Sequence, residues 1–207
     1  MNTPLQLERA IADSNVRKIE IADRADKALR DAVSGVKSAI MCVSGCAHCC
    51  YYPAVISVLE GIVLYRWLVN KGRWQALRSK LKSHAEVTFG LAFEVWMLSM
   101  TPCPLLTDTH VCLGYDARPL SCRLTYSVGD PLLCHPYRVG KSTWLLPRVS
   151  FQAELAYVEE SLLKNLGSMY VTFPISKALL LAESICLGKL DFEALNAWIF
   201  REYKQYG

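Results

Sequence analysis

Apolar residues recur at near-helical spacing through most of this chain. Over residues 5–40, Leu7, Ile11, Ile19, Ala22, Leu29, Val33 and Val36 stand among many charges. That pattern predicts a long amphipathic helix, or two, packed on a core. The alternative is a helix that docks a protein partner. Pro53, suited to a first helical position, is expected to open a second helix through about Val69, closed by Asn70-Lys71-Gly72. A third is expected from about Arg73 to Leu98, with Trp74, Leu77, Leu81, Phe89, Leu91, Phe93 and Val95 mostly inward and Pro102 and Pro104 ending it. Helical periodicity returns over roughly Ser150–Leu166, Ile175–Leu187 and Phe192–Tyr203, separated by Gly167, Pro174 and Gly188-Lys189. From Cys103 to about Trp144, by contrast, Pro, Gly, Asp and Cys accumulate and neither helical nor strand periodicity is present. So long a stretch without regular structure is unusual in a compact domain; a bound metal would keep it ordered.

The resulting expectation is an all-α fold: a helical domain with a long, irregular cysteine-rich loop organised by metal. Residues 1–40 form an N-terminal helical arm, residues 41–145 the cysteine-cluster region, and residues 146–207 the C-terminal helices on the same core. At 207 residues, with 52% hydrophobic and 20% charged residues, the chain has the makings of one globular domain and not of disorder. Nine cysteines are too few for a small secreted disulfide scaffold, and nothing at the N-terminus reads as a signal peptide. A cytoplasmic setting is expected, and there clustered cysteines mean metal or redox chemistry. No apolar run reaches the ~18 residues that span a bilayer. The best, Ala54 to Val69, carries Glu60 and Arg66 and reads as a buried helix. The net charge of +4 is spread among acids along the helices, so there is no strong nucleic-acid signal.

Eight of the cysteines fall in two groups: Cys42, Cys46, Cys49 and Cys50, then Cys103, Cys112, Cys122 and Cys134. Cys186, in a helical apolar context, is expected to be a buried core thiol. Ser44-Gly45 reads as a turn and N-cap that starts a short helical piece at Cys46, whose dipole would lower the thiol pKa values. Three chemistries compete. The thiols can bind zinc in a Cys₄ or Cys₃His site. They can hold an iron–sulfur cluster. Or Cys46 and Cys49 can be a redox C-x-x-C pair, for which no thioredoxin-like βαβ pattern is present. The adjacent Cys49 and Cys50 point in different directions, which suits a multi-iron cluster or two sites better than one ion. His48, His110 and His135 lie near cysteines and are candidate replacement ligands. Arg118 and Arg123 flank Cys122 and are expected to contact the cofactor, since four thiolates on zinc or on a doubly charged cluster carry about −2. The alternative is an ion pair with a surface carboxylate such as Asp116.

At these residues the chain resembles the YkgJ-type cysteine-cluster family, a zinc- or iron-chelating domain with a CxxCxxCC signature. The resemblance rests on the cysteine run, Glu60, Cys103-Pro104-Leu105-Leu106, Cys112, Tyr115-Asp116-Ala117-Arg118-Pro119-Leu120-Ser121-Cys122-Arg123 and Cys134, covering roughly residues 42–134. Here three residues, where the signature has two, separate Cys42 from Cys46. The resemblance implies that the eight cysteines are metal ligands. A related branch, the flagellin lysine N-methylases, couples a similar region to methyl transfer from S-adenosylmethionine with an iron–sulfur centre. No G-x-G occurs to bind such a donor, and His135 stands where a P-loop ending in Gly140-Lys141-Ser142 would need glycine. The expected function is therefore binding of an iron–sulfur cluster, of the 4Fe–4S type, or of zinc. The alternatives are a protein-modifying enzyme, lysine methyltransferase-like or redox, that uses the centre, and a zinc-stabilised interaction module docking through residues 5–40.

Overall fold

The amphipathic pattern at the N-terminus folds as one helix, α1 (Pro4–Val33), in the computed structural model, which describes residues 4–33, 42, 45–128, 134, 143–144 and 148–206. Residues 34–40 of the expected helix lie outside the described residues. Steps of three and four residues put Ala10, Ile11, Ser14, Lys18, Ile21, Ala22, Ala25 and Leu29 on the buried face, while Ile19 is exposed. This face is covered along its length. Ala10 and Ile11 join the main core, and Ile21, Ala22 and Ala25 form a second cluster with Leu120, Leu124 and Leu155. The predicted arm is thus a wall of the fold.

Pro53 does not open the second helix. The chain runs on through a short strand, β1 (Val55–Ser57), and α2 (Val58–Asn70) starts only after Ser57. The reason is a capping box: Ser57 Oγ accepts the Glu60 N–H at 3.1 Å. At the other end Gly72 takes φ +66°, and the Arg73 and Gly72 amides donate to Leu68 and Val69 at 2.8 and 2.9 Å.

The expected third helix is two. α3 (Trp74–Thr88) stops before Gly90, whose φ is +83°, and α4 (Phe93–Leu98) starts beyond it. The break rotates the register, so Leu91, Phe93 and Val95 are exposed where continuous periodicity had them inward; Trp96 is buried instead. The irregular stretch also contains short elements. They are a 3-10 turn over Tyr115–Ala117, the four-residue α5 (Leu120–Arg123), and a small antiparallel pair, β2 (Ser127–Val128) with β3 (Thr143–Trp144).

The C-terminal third follows the periodicity closely: α6 (Arg148–Asn165), α7 (Ile175–Cys186) and α8 (Phe192–Tyr206). Before α7, a strand β4 (Thr172–Pro174) pairs antiparallel with β1, with Ile56 opposite Phe173. The fold is mainly helical, and α2 against α7 is its centre. Leu59, Ile62, Leu68, Ala178, Leu179 and Ala182 are all fully buried there. Among the described residues no helix is long and apolar enough to cross a membrane.

Gly61 sets the spacing of that central pair: a Cβ at this position would lie 3.0 Å from the Ala178 carbonyl oxygen. Gly61→Val is therefore expected to destabilise the fold by about 1–3 kcal/mol, and to lower the thermal midpoint by several degrees. An unchanged midpoint in a calorimetric scan would show that the two helices are not held this close.

Candidate metal centre

Gly45, at φ +86°, turns the chain into a four-residue 3-10 helix, His48–Tyr51, capped by Ala47. Regular structure thus begins two residues after Cys46, and so short a turn supplies little dipole. The expected lowering of thiol pKa does not follow. Cys50 is held well above the ordinary thiol range, by its hydrogen bond to Cys49 first and by burial second.

The second cysteine group is strapped to the first, since Cys103 N–H donates to the Cys50 carbonyl at 2.7 Å. From there the chain makes a narrow loop that carries two thiols. Leu106 bridges to Cys112, Thr107 N–H donates to Val111 at 2.9 Å, and Leu113 N–H donates to Leu105 at 2.8 Å. At its two ends a backbone amide faces a sulfur two residues earlier in the chain, Leu105 N–H on Cys103 and Gly114 N–H on Cys112. Gly114 packs against α2: a Cβ there would come within 2.9 Å of Leu64 Cδ1, so a larger residue would make the Leu64 side chain shift.

Cys122 is carried by α5, which is clamped from two sides. Leu120 N–H donates to Glu60 Oε1 at 2.7 Å, and Arg123 reaches back to Asp23 and Asp26 of α1 at 2.9 and 3.0 Å. The Tyr126 hydroxyl donates to the same Asp26. Cys134 is buried, and its carbonyl accepts the Tyr52 hydroxyl at 2.9 Å.

These elements bring five sulfurs together. Cys49 is near enough for its charge to act on Cys50, Cys103, Cys112 and Cys122. Tyr52, whose hydroxyl feels both Cys49 and Cys134, joins the sixth thiol to them. Cys46 is half-buried and Cys42 exposed, and none of these cysteines is joined in a disulfide. As they stand, no three His, Cys, Asp or Glu side chains among the described residues are arranged to hold one metal ion. The sulfurs are hydrogen-bonded as thiols, Cys50 to Cys49, and do not converge on a common point.

Burial pushes Cys103 up to about 12 and raises Cys122 further; Cys112 is also raised, though Gly114 N–H, Arg118 and Arg73 oppose the shift. Three cations therefore border the thiols. Arg118 stacks on the Tyr115 ring at 4.1 Å. Arg73 donates to the Leu113 carbonyl at 2.5 Å. Lys80 donates to the Leu106 carbonyl at 2.8 Å and favours a charged Cys103. Of the two expected arginines, Arg118 acts on a sulfur, whereas Arg123 is engaged by the α1 carboxylates. Arg73 and Lys80 were not legible as site residues, because Arg73 caps α3 and Lys80 lies within it, 40 and 26 residues before the carbonyls they bond.

The remaining expectations divide in the same way. His48 is half-buried in the 3-10 turn, His110 is an exposed turn residue at φ +59°, and His135 lies outside the described residues. Cys186 is half-buried and packs against the main core, and Arg66 donates to its sulfur. Comparison of the chain with protein-family models, with curated proteins and with solved structures finds no match.

The spread of exposure and acidity predicts a hierarchy of reactivity in metal-free protein, since alkylation needs an accessible thiolate. At about pH 8, iodoacetamide is expected to modify Cys42 at least ~10-fold faster than Cys103 or Cys122. Equal rates by mass spectrometry would contradict the burial described here.

Proposed function

We propose that this chain is a metal-binding protein whose cysteine cluster holds an iron–sulfur cluster or zinc. The ligands would come from Cys49, Cys50, Cys103, Cys112, Cys122 and Cys134, with Cys42 and Cys46 completing the set of eight. The observation that carries this reading is that Cys49 acts on four other thiols, two of which already face backbone amides. Several protonated, buried sulfurs packed together gain nothing from one another. A bound cation would repay their ionisation, and soft thiolate donors select zinc or iron–sulfur centres. Amide hydrogen bonds to sulfur and nearby cations are the groups that stabilise such anionic centres.

The donor set therefore fits the group in chemistry. A cluster, when bound, supplies one-electron transfer; zinc supplies a fixed charge that ties the loop to α2. The chain's own residues do the rest. Arg118, Arg73 and Lys80 offset the negative charge, Leu105 and Gly114 orient two sulfurs, and Leu64, Leu105 and Leu120 keep water away. The resemblance of residues 42–134 to the YkgJ-type family supports the same reading.

Replacing a ligand removes metal and loosens the loop together, because metal affinity and local folding are coupled. Cys103→Ser and Cys122→Ser are expected to lose most of the metal found in the parent protein, while Cys186→Ser keeps it. Plasma emission analysis of anaerobically purified variants checks this. Full metal content in the Cys103→Ser, Cys122→Ser double variant would overturn the assignment.

A further inference from the structure

Three ionisable side chains are enclosed where α1, α2 and α6 meet, behind the helix that carries Cys122. Glu159 is 0% exposed, Glu60 6% and Lys18 8%. Ser14 Oγ donates to Glu159 Oε1 at 2.5 Å, and Leu120 N–H to Glu60 Oε1 at 2.7 Å. The Ser57 hydroxyl also acts on Glu159, and Tyr170 lies close enough to feel both carboxylates. Arg123 acts on Lys18 through its charge, but its own guanidinium is bonded to Asp23 and Asp26.

The charges in this pocket do not balance. One ammonium faces two carboxylates, so full ionisation leaves a negative charge out of reach of water, which is costly. One proton on the pair removes it. Burial raises Glu60, and burial with the charge of Glu60 pushes Glu159 up to about 7; burial lowers Lys18. The pair therefore holds a proton more readily than an exposed carboxyl does.

The pocket is also linked to the thiols. Glu60 caps the helix of Cys122, and its charge raises that thiol. Such an influence is reciprocal. Loading four thiols onto a divalent zinc, or onto a doubly charged cluster, takes the centre from neutral to about −2 and raises the proton affinity of the carboxylates behind it.

We propose that Lys18, Glu60 and Glu159 form a proton-binding site coupled to metal loading, in which Glu159 takes up one proton as the cysteine centre fills. This rests on the metal-centre reading above. Each thiol that becomes a ligand breaks its S–H bond, gives the proton to solvent and forms a sulfur–metal bond. One proton from solvent adds to the Glu159 carboxylate to make a neutral carboxyl, and no electron is transferred. Below about pH 7 Glu159 already holds its proton in the metal-free protein, so loading adds none. Above that, loading raises its affinity and uptake appears.

Zinc titrated calorimetrically into the reduced, metal-free full chain, in buffers of different ionisation heat, counts the protons released. At about pH 7.5 the parent protein is expected to release fewer protons per zinc than Glu159→Gln, by up to about one, with the difference gone at about pH 6. Equal counts at the higher pH, with zinc bound by both, would overturn the proposal. Failure of the parent protein to bind zinc would overturn the zinc form of the metal reading and this proposal with it. Should Glu159→Gln not fold, infrared difference spectra of the parent protein, zinc-loaded minus metal-free, decide. A gain in the C=O stretch of a protonated carboxyl is expected, and its absence overturns the proposal.

Discussion

A single buried carboxylate joins the helical core to the cysteine loop. Glu60 belongs to the first turn of α2, where Ser57 caps it, yet its Oε1 takes the Leu120 amide at the start of the helix that bears Cys122. A carboxylate without partners in such a place would cost several kcal/mol, and here backbone amides and Lys18 meet the cost. The result is that α1, α2, α5 and α6 share one polar junction inside an apolar fold. The N-terminal helix, expected as an arm packed on the core, is needed on both sides of it. Lys18 faces Glu60, and Asp23 and Asp26 hold Arg123.

The thiols stand in a different balance from that junction. Burial and mutual repulsion keep them protonated, while two amides and three cations are arranged to favour charge on the same sulfurs. Without a cation at the centre the first set wins. The stretch from Cys103 to Arg123 is ordered by contacts that do not need one: the Cys50 carbonyl, the Leu106 bridge, the packing of Gly114 on Leu64 and the double clamp on α5.

How much of this was legible follows from the range of the interactions involved. The buried stripe of α1, the Gly72 cap and helices α6 to α8 were visible, because each is set by residues within a few turns of one another. The late start of α2 was also local, in Ser57-Val58-Leu59-Glu60, but Pro53 offered a competing start and the capping box won. Gly90 was tolerable to a helix by propensity alone. Only Trp96, which needs burial, required the break that exposes Phe93. The β1–β4 pair is too short to show alternation, and its two halves lie more than a hundred residues apart in the chain. The cysteines stood out as a candidate site. Their cations Arg73 and Lys80, and the Lys18–Glu60–Glu159 pocket, were not, since each is made by helices that meet only in the folded chain.

The central claim is that buried thiolates of this cluster are the ligands of one metal centre. X-ray absorption at the edge of whichever metal is found, on protein purified without oxygen from cells supplied with iron and zinc, tests it most directly. The account predicts a shell of sulfur at about 2.3 Å with no more than a minor nitrogen or oxygen contribution. Stoichiometric metal with a shell dominated by nitrogen and oxygen, or protein without metal under these conditions, would contradict it.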